Sequence, residues 1–371
     1  MSAAATLERR VLTTGGLDDL IGALQAAGYD TLGPTVRDGA VRLSSISSTA
    51  DLPQGIGDET APGRYRLTDR HDGAYFGFAA PADSWKAHLF PPREVLFTAV
   101  RTEAGIQFQP ASPPARKQAF LGVRGCDLAA IAILDAVLLH QEHPDPQYAA
   151  RRAGLFLLAV DCAHPAATCF CPSMGTGPAA GPGADLILAE LAPGTPEHRF
   201  LVTIGTPQGA QLLAGIATRP ARPADLDAAA AITAQAAAQI QRHMAPGAWE
   251  PDPHDPRWGE VAERCLSCAN CTMACPTCFC FDVADSTDPV SGSMERSRQW
   301  GSCFDQSHSY LHGGAVRDSP MSRYRQWLTH KLIAWPAQFG TAGCVGCGRC
   351  IAWCPVGIDI TEEAAALRRA P

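Results

Sequence analysis

Two short segments of this chain share one cysteine spacing, and that spacing restricts the fold more than any other feature. The first is Cys265-Leu-Ser-Cys268-Ala-Asn-Cys271-Thr-Met-Ala-Cys275-Pro276. The second is Cys344-Val-Gly-Cys347-Gly-Arg-Cys350-Ile-Ala-Trp-Cys354-Pro355. Both read C-x2-C-x2-C-x3-C-P, the spacing of bacterial-type [4Fe–4S] ligation. Three thiolates so spaced lie on one tightly curved loop and reach three irons of a cube. The fourth sits on the helix that follows and faces the other cube, and the proline after it redirects the chain. Ligation is therefore expected to cross. One cluster would take Cys265, Cys268, Cys271 and Cys354, and the other Cys344, Cys347, Cys350 and Cys275. Structural zinc sites would use C-x2-C pairs separated by longer loops, not four cysteines within 11 residues twice over.

The chain has 371 residues, room for two domains or three small ones. With 46% hydrophobic and 18% charged residues it has ample material for a packed core, which excludes disorder over most of its length. A net charge of −7 argues against a general nucleic-acid binder and against docking on anionic lipid. The 15 cysteines are an odd number, in a chain too large to need disulfide staples. The N-terminus shows no apolar signal region, and no run approaches 18 apolar residues. No membrane span is expected, and a reducing, cytoplasmic location follows. Clustered cysteines there more often bind metal than pair with one another.

Leu17 to Gly28 has helical periodicity, and Thr31–Ile46 reads as a hairpin turning at Arg37-Asp38-Gly39. Residues 52–67, rich in Gly, Pro and Asp, read as loop. Glu94–Val100 and Ile106–Gln109 look like short strands. Ala119–Val123 is an apolar run followed by Arg124-Gly125-Cys126-Asp127 and a helical stretch Leu128–Leu139. Gly154–Val160 is a second apolar run, with Cys162 just beyond it. Leu186–Leu191 and Phe200–Ile204 are further strands, and Pro207–Ile216 a short helix. The expected organisation is a mixed α/β domain over 1–222 and a helix with a Pro-rich linker over 223–256. A helical, bacterial-ferredoxin-like dicluster domain over 257–371 follows, with a long insertion at 277–343.

Four cysteines lie upstream: Cys126, Cys162, Cys169 and Cys171. The last two form Thr168-Cys169-Phe170-Cys171-Pro172, ahead of Gly175-Thr-Gly177-Pro178. Cysteines at i and i+2 on an extended segment point the same way and can chelate one cube, and the glycines let backbone N–H groups approach its sulfurs. A third [4Fe–4S] cluster is expected on these four. The segment is echoed by Thr277-Cys278-Phe279-Cys280, where Cys278, Cys280 and the later Cys303 stay unassigned. From Arg296 to Lys331 the insertion is basic: Arg296, Arg298, Arg317, Arg323, Arg325 and Lys331 stand against Asp305 and Asp318. Cations near an anionic cluster raise its potential, although any one of them can equally be a solvated surface charge. Asp161, Cys162 and His164 form only a weak nucleophilic grouping, and His140 with His143 suits a polar helix end better than a metal.

These segments resemble the iron–sulfur beta subunit of cytosolic sulfhydrogenases, the NAD(P)-linked [NiFe] hydrogenases. The resemblance rests on Cys265–Cys280 with its Pro-Thr-Cys-Phe-Cys-Phe-Asp ending, Ser302-Cys303, Arg323–Leu332 and Cys344–Pro355. Upstream it includes Pro62–Leu67, Lys86–Glu94, Gly122–Asp127 and Thr168–Pro178. The chain is similar also to the electron-transfer subunit of anaerobic sulfite reductase, which shares the architecture. The resemblance implies an electron-transfer subunit, not catalytic alone, of a soluble complex. Its partners would be a flavin/NAD(P)-binding diaphorase subunit, with either hydrogenase small and large subunits or a sulfite reductase subunit. The other reading is a self-sufficient iron–sulfur flavoprotein reductase. No G-x-G-x-x-G opens a βα unit and no G-x-x-x-x-G-K-[ST] is present, so neither NAD nor ATP is expected on this chain.

Overall fold

The computed structural model describes residues 7–111, 116–244 and 250–368. The apolar runs form adjacent parallel strands, Gln118–Val123 and Leu155–Val160, inside an eight-stranded sheet. Its order is Arg219–Pro220, Arg9–Thr13, Arg199–Ile204, Leu186–Leu191, Leu155–Val160, Gln118–Val123, Asp30–Arg37, Ala40–Ser45. The four strands from Leu186–Leu191 to Asp30–Arg37 run parallel. Antiparallel strands extend both edges.

Successive strand residues point to opposite faces. Leu121, Phe156, Leu158 and Val160 pack on one side with Leu17, Leu20, Ile21 and Leu24 of the helix Thr14–Ala26. Phe120, Val123, Leu155 and Leu157 pack on the other with Leu128, Ile131, Leu134 and Leu138 of the helix Gly125–Leu138. Burial on both faces is why these strands read as unbroken apolar runs.

The expected hairpin is the pair Asp30–Arg37 and Ala40–Ser45, turning at Asp38 and Gly39, both left-handed at φ 52° and 72°. The segment expected as loop holds two paired strands, Ile56–Ala61 and Arg64–Asp69. Its Pro62-Gly63, which suggested a loop, is the turn between them. Arg93–Thr102 and Gly105–Pro110 are strands, but they lie outside the large sheet. They join Phe281–Thr287 and Met294–Trp300 of the insertion in a four-stranded antiparallel sheet. The helix Pro223–Gln239 lays Leu226, Ala229 and Ile232 on Val11, Leu191 and Leu201 of the large sheet.

The C-terminal part has its own core. Trp258 and Val261 of the helix Arg257–Arg264 meet Tyr324, Trp327 and Leu328 of the helix Pro320–Thr329, together with Ile351, Ile358 and Leu367. A further apolar cluster joins the two parts: Cys126, Ile133, Cys169 and Cys171 pack with Trp335 and Val345. Among the described residues no helix is long and apolar enough to cross a membrane.

Candidate metal centre

Both motifs curl by the same backbone device. The second and fourth residues after the first cysteine are left-handed: Ser267 and Ala269 at φ 51° and 63°, Gly346 and Gly348 at φ 65° and 73°. Each loop then enters a single helical turn, Asn270–Met273 or Arg349–Ala352, that carries the third cysteine. Cys265, Cys268, Cys271 and Cys354 line one apolar cavity together with Cys350, and Phe304, Tyr324 and Trp327 stand around them. The Cys354 sulfur accepts the N–H of Ile358 at 3.3 Å. Cys344, Cys347 and Cys350 cluster beside Cys275. The fold thus brings the last cysteine of each motif to the first three of the other.

All fifteen cysteines are free thiols. Burial pushes Cys344 up to about 12 and holds Cys271 and Cys350 well above the ordinary thiol value. Such thiols become thiolates when a metal takes the place of the proton. Sulfur donors in apolar walls suit a thiophilic metal or an iron–sulfur cluster. Among the described residues no three of His, Cys, Asp or Glu converge as a single ion requires. A cube makes a different demand, because each thiolate binds a different corner.

The upstream cysteines also come together. Cys126 lies in the first turn of the helix Gly125–Leu138, and Cys162 two residues beyond the strand Leu155–Val160. Both stand at carboxyl ends of neighbouring parallel strands, where open α/β sheets present their ligand sites. Cys169 faces Cys162 and Cys171, and Cys126 faces Cys171. Burial pushes Cys171 up to about 12. The buried Arg124 guanidinium gathers the carbonyls of Phe76, Phe78, Ala79 and Asp161 at 2.7–3.0 Å and so fixes the ground between Cys126 and Cys162.

The second motif loop is clamped from both sides. Phe170 N–H donates to Gly346 O at 2.8 Å and the Thr176 hydroxyl to Val345 O at 2.6 Å. From the insertion, the Thr277 hydroxyl donates to Gly343 O at 2.8 Å. A Cβ on Gly346 would lie 2.7 Å from the Cα of Cys171, and one on Gly348 would run into Thr168 O. The two Thr-Cys-Phe-Cys segments therefore flank one loop.

Of the six basic residues of the insertion, Lys331 alone reaches a motif sulfur, donating to Cys275 at 3.2 Å. Arg298 is spent on Glu94 and Asp145, Arg296 on Asp285, and Arg325 on Pro253 O. Arg323 serves Arg317 O and Asp318 O, while Arg317 faces Cys303. Cys280 and Cys303 are neighbours, and Cys278 donates to Cys275. His164 meets Arg70 at 3.0 Å while Asp161 accepts Ala180 N–H, so no nucleophilic triad forms at Cys162. His140 and His143 are exposed.

Residues 264–358 match the 4Fe-4S dicluster domain family. Sulfhydrogenase 2 subunit beta of Pyrococcus furiosus is 32% identical over 255 residues, which cover 66% of this chain and 72% of that protein. The chain belongs to the sulfhydrogenase beta-subunit family. No solved structure matches it. It is an iron–sulfur electron-transfer subunit, with [4Fe–4S] clusters indicated by its dicluster domain.

In this sulfhydrogenase-type beta subunit the centre also uses residues that sequence reasoning did not single out. Arg349, inside the second motif, is buried and pairs with buried Asp127 at 2.8 Å. Lys86 is buried over the Trp300 ring at 3.9 Å and faces Cys275, Cys278 and Cys280. The available signal was slight: a lysine within the apolar stretch Ser84-Trp-Lys86-Ala-His-Leu89.

Proposed function

We propose that the chain relays electrons in the cytoplasm between hydrogenase small and large subunits and a flavin/NAD(P)-binding diaphorase subunit. Three [4Fe–4S] centres would form the route. The first is on Cys265, Cys268, Cys271 and Cys354, the second on Cys344, Cys347, Cys350 and Cys275, and the third on Cys126, Cys162, Cys169 and Cys171. The reading keeps an α/β domain over 1–222 holding the third centre, and a ferredoxin-like domain over 257–371 holding the other two.

The observation that carries this reading is adjacency. Cys347 of the second set is a charge neighbour of Cys126, Cys169 and Cys171. Cys350 of that set is a charge neighbour of Cys271 in the first. The three sets form an unbroken row with the second in the middle. When bound, each cluster takes up and releases one electron, which lets a two-electron flavin serve one-electron steps. The protein supplies sulfur donors, apolar walls that exclude water, and fixed spacing. Lys331 and the clamped loop hold the middle set in place.

Iron and acid-labile sulfide in anaerobically purified protein test the route. Three cubes correspond to about 12 irons per chain, and Cys169→Ser with Cys171→Ser should reduce this to about eight. Wild-type protein holding only about eight irons would remove the third centre. Zinc without labile sulfide would remove all three.

A further inference from the structure

The two cysteine motifs have the same spacing, but the charges around them differ. The cavity of Cys265, Cys268, Cys271 and Cys354 is lined by apolar side chains such as Leu266, Phe304 and Trp327, and no cation is among its lining residues. Beside the other set, Lys331 is buried at 5% exposure. Its ammonium donates to Cys275 Sγ at 3.2 Å, to Thr277 Oγ1 at 3.1 Å and to Gly343 O at 3.1 Å, which uses all three of its protons. The groups that most favour the charged form of Lys331 are the sulfurs of Cys275, Cys278 and Cys344. Arg349 is the contrast. It also lies within the second motif, but Asp127 matches its charge. A buried cation therefore contacts a ligand sulfur in one set, whereas beside the other the buried Arg323 reaches the Ser267 hydroxyl at 3.5 Å.

We infer that the centre on Cys344, Cys347, Cys350 and Cys275 is the electron well of the dicluster pair, held at the higher potential by Lys331 through its N–H···S contact with Cys275. The inference rests on the crossed ligation proposed above. Reduction adds one electron, hence one negative charge, and Lys331 keeps its protons throughout. A buried ammonium attracts that added charge across a medium of low dielectric. Hydrogen bonds to ligand sulfur act in the same direction. An electron arriving from either end of the row settles first in the middle. The other dicluster centre, without such a contact, is harder to reduce.

The test is a dithionite titration of the full-length, anaerobically purified protein, followed by EPR. Wild-type protein should show two dicluster signals with separate midpoints, and Cys275→Ser should alter the one of higher potential. Lys331→Met should lower that same midpoint, shifting its reduced-to-oxidised ratio at fixed potential by roughly tenfold, or about 59 mV for one electron. Lys331→Arg, which keeps the charge, should recover most of the shift. A Lys331→Met protein with full iron and an unmoved higher midpoint overturns the inference, as does an equal shift in both signals. If Lys331→Met fails to assemble, Lys331→Gln reads the same signal, and an unmoved midpoint there counts equally against it. Cys275→Ser separates the two failures. A change confined to the lower-potential signal, or in neither, sinks the crossed ligation and this inference with it, whereas a change in the higher-potential signal beside unmoved lysine-variant midpoints sinks this inference alone.

Discussion

Ser267 and Gly346 occupy equivalent places in the two motifs and share a left-handed backbone, at φ 51° and 65°. A side chain in that conformation costs roughly 1–2 kcal/mol. The first loop tolerates the cost because it is partly open to solvent, with Leu266 at 63% exposure and Cys268 exposed. The second loop cannot, because the backbone of Phe170 and Cys171 lies against Gly346. Ser267→Gly should therefore stabilise the protein by about 1 kcal/mol in anaerobic denaturation. Gly346→Ala should cost on the order of 2–4 kcal/mol and release iron from the neighbouring centre proposed on Cys126, Cys162, Cys169 and Cys171. Full iron and unchanged stability in Gly346→Ala would mean that this backbone contact does not hold the site.

The helix Pro223–Gln239 shows how an element can be legible while its packing is not. Its alanine content and the prolines after it suggested a boundary. Alanine gives helix propensity without marking a buried face, so the buried Ala229 and Ala236 looked like the rest. The docking is held by Asp225, which accepts from Arg199 at 3.0 Å, Arg219 at 2.7 Å and Arg222 N–H at 2.9 Å. The Arg219 hydrogen bond, with Arg222 N–H and Arg199 behind it, holds this carboxyl below the ordinary aspartate value. Because the folded-state value is depressed, the stabilisation is fully present above the ordinary carboxylate range and is lost as pH falls through the lower, folded value. Asp225→Asn should cost about 1–3 kcal/mol at neutral pH and flatten the acid limb of the stability profile. An unchanged acid limb would show that Asp225 does not anchor the helix. The strands at Arg93–Thr102 and Gly105–Pro110 carry the same lesson. Their existence was legible, but Arg93–Thr102 finds its second partner in the insertion about 200 residues away, as Arg93 opposite Gln299 shows.

The two parts of the molecule meet through the pair Arg349–Asp127, separated by 222 positions in the chain and almost completely buried. Asp127 follows Cys126, and Arg349 precedes Cys350, so the ion pair fixes the upstream cysteines against the second motif. Arg349→Met would leave a buried carboxylate unpaired, with an expected cost of about 3–5 kcal/mol. The double variant Arg349→Met with Asp127→Leu should lose less, since replacing both charges removes the uncompensated one. Denaturant midpoints of anaerobic protein check this. Equal stability of the single variant and wild type would show that the halves are not joined here.

Cysteine spacing is a local property, so the two motifs, the C-x-C segments and their chemistry could be read from residue order. The buried strands were equally legible, because burial on both faces leaves an unbroken apolar run. Charge behaved differently. Six basic residues looked alike along the insertion, yet Arg298 is neutralised by Glu94, 204 positions away, while Lys331 is left beside a sulfur. Whether a cation is spent or available depends on which distant carboxylate the packing brings to it. That is why folding in space, and not the order of residues, makes two identical cysteine patterns electrostatically unequal.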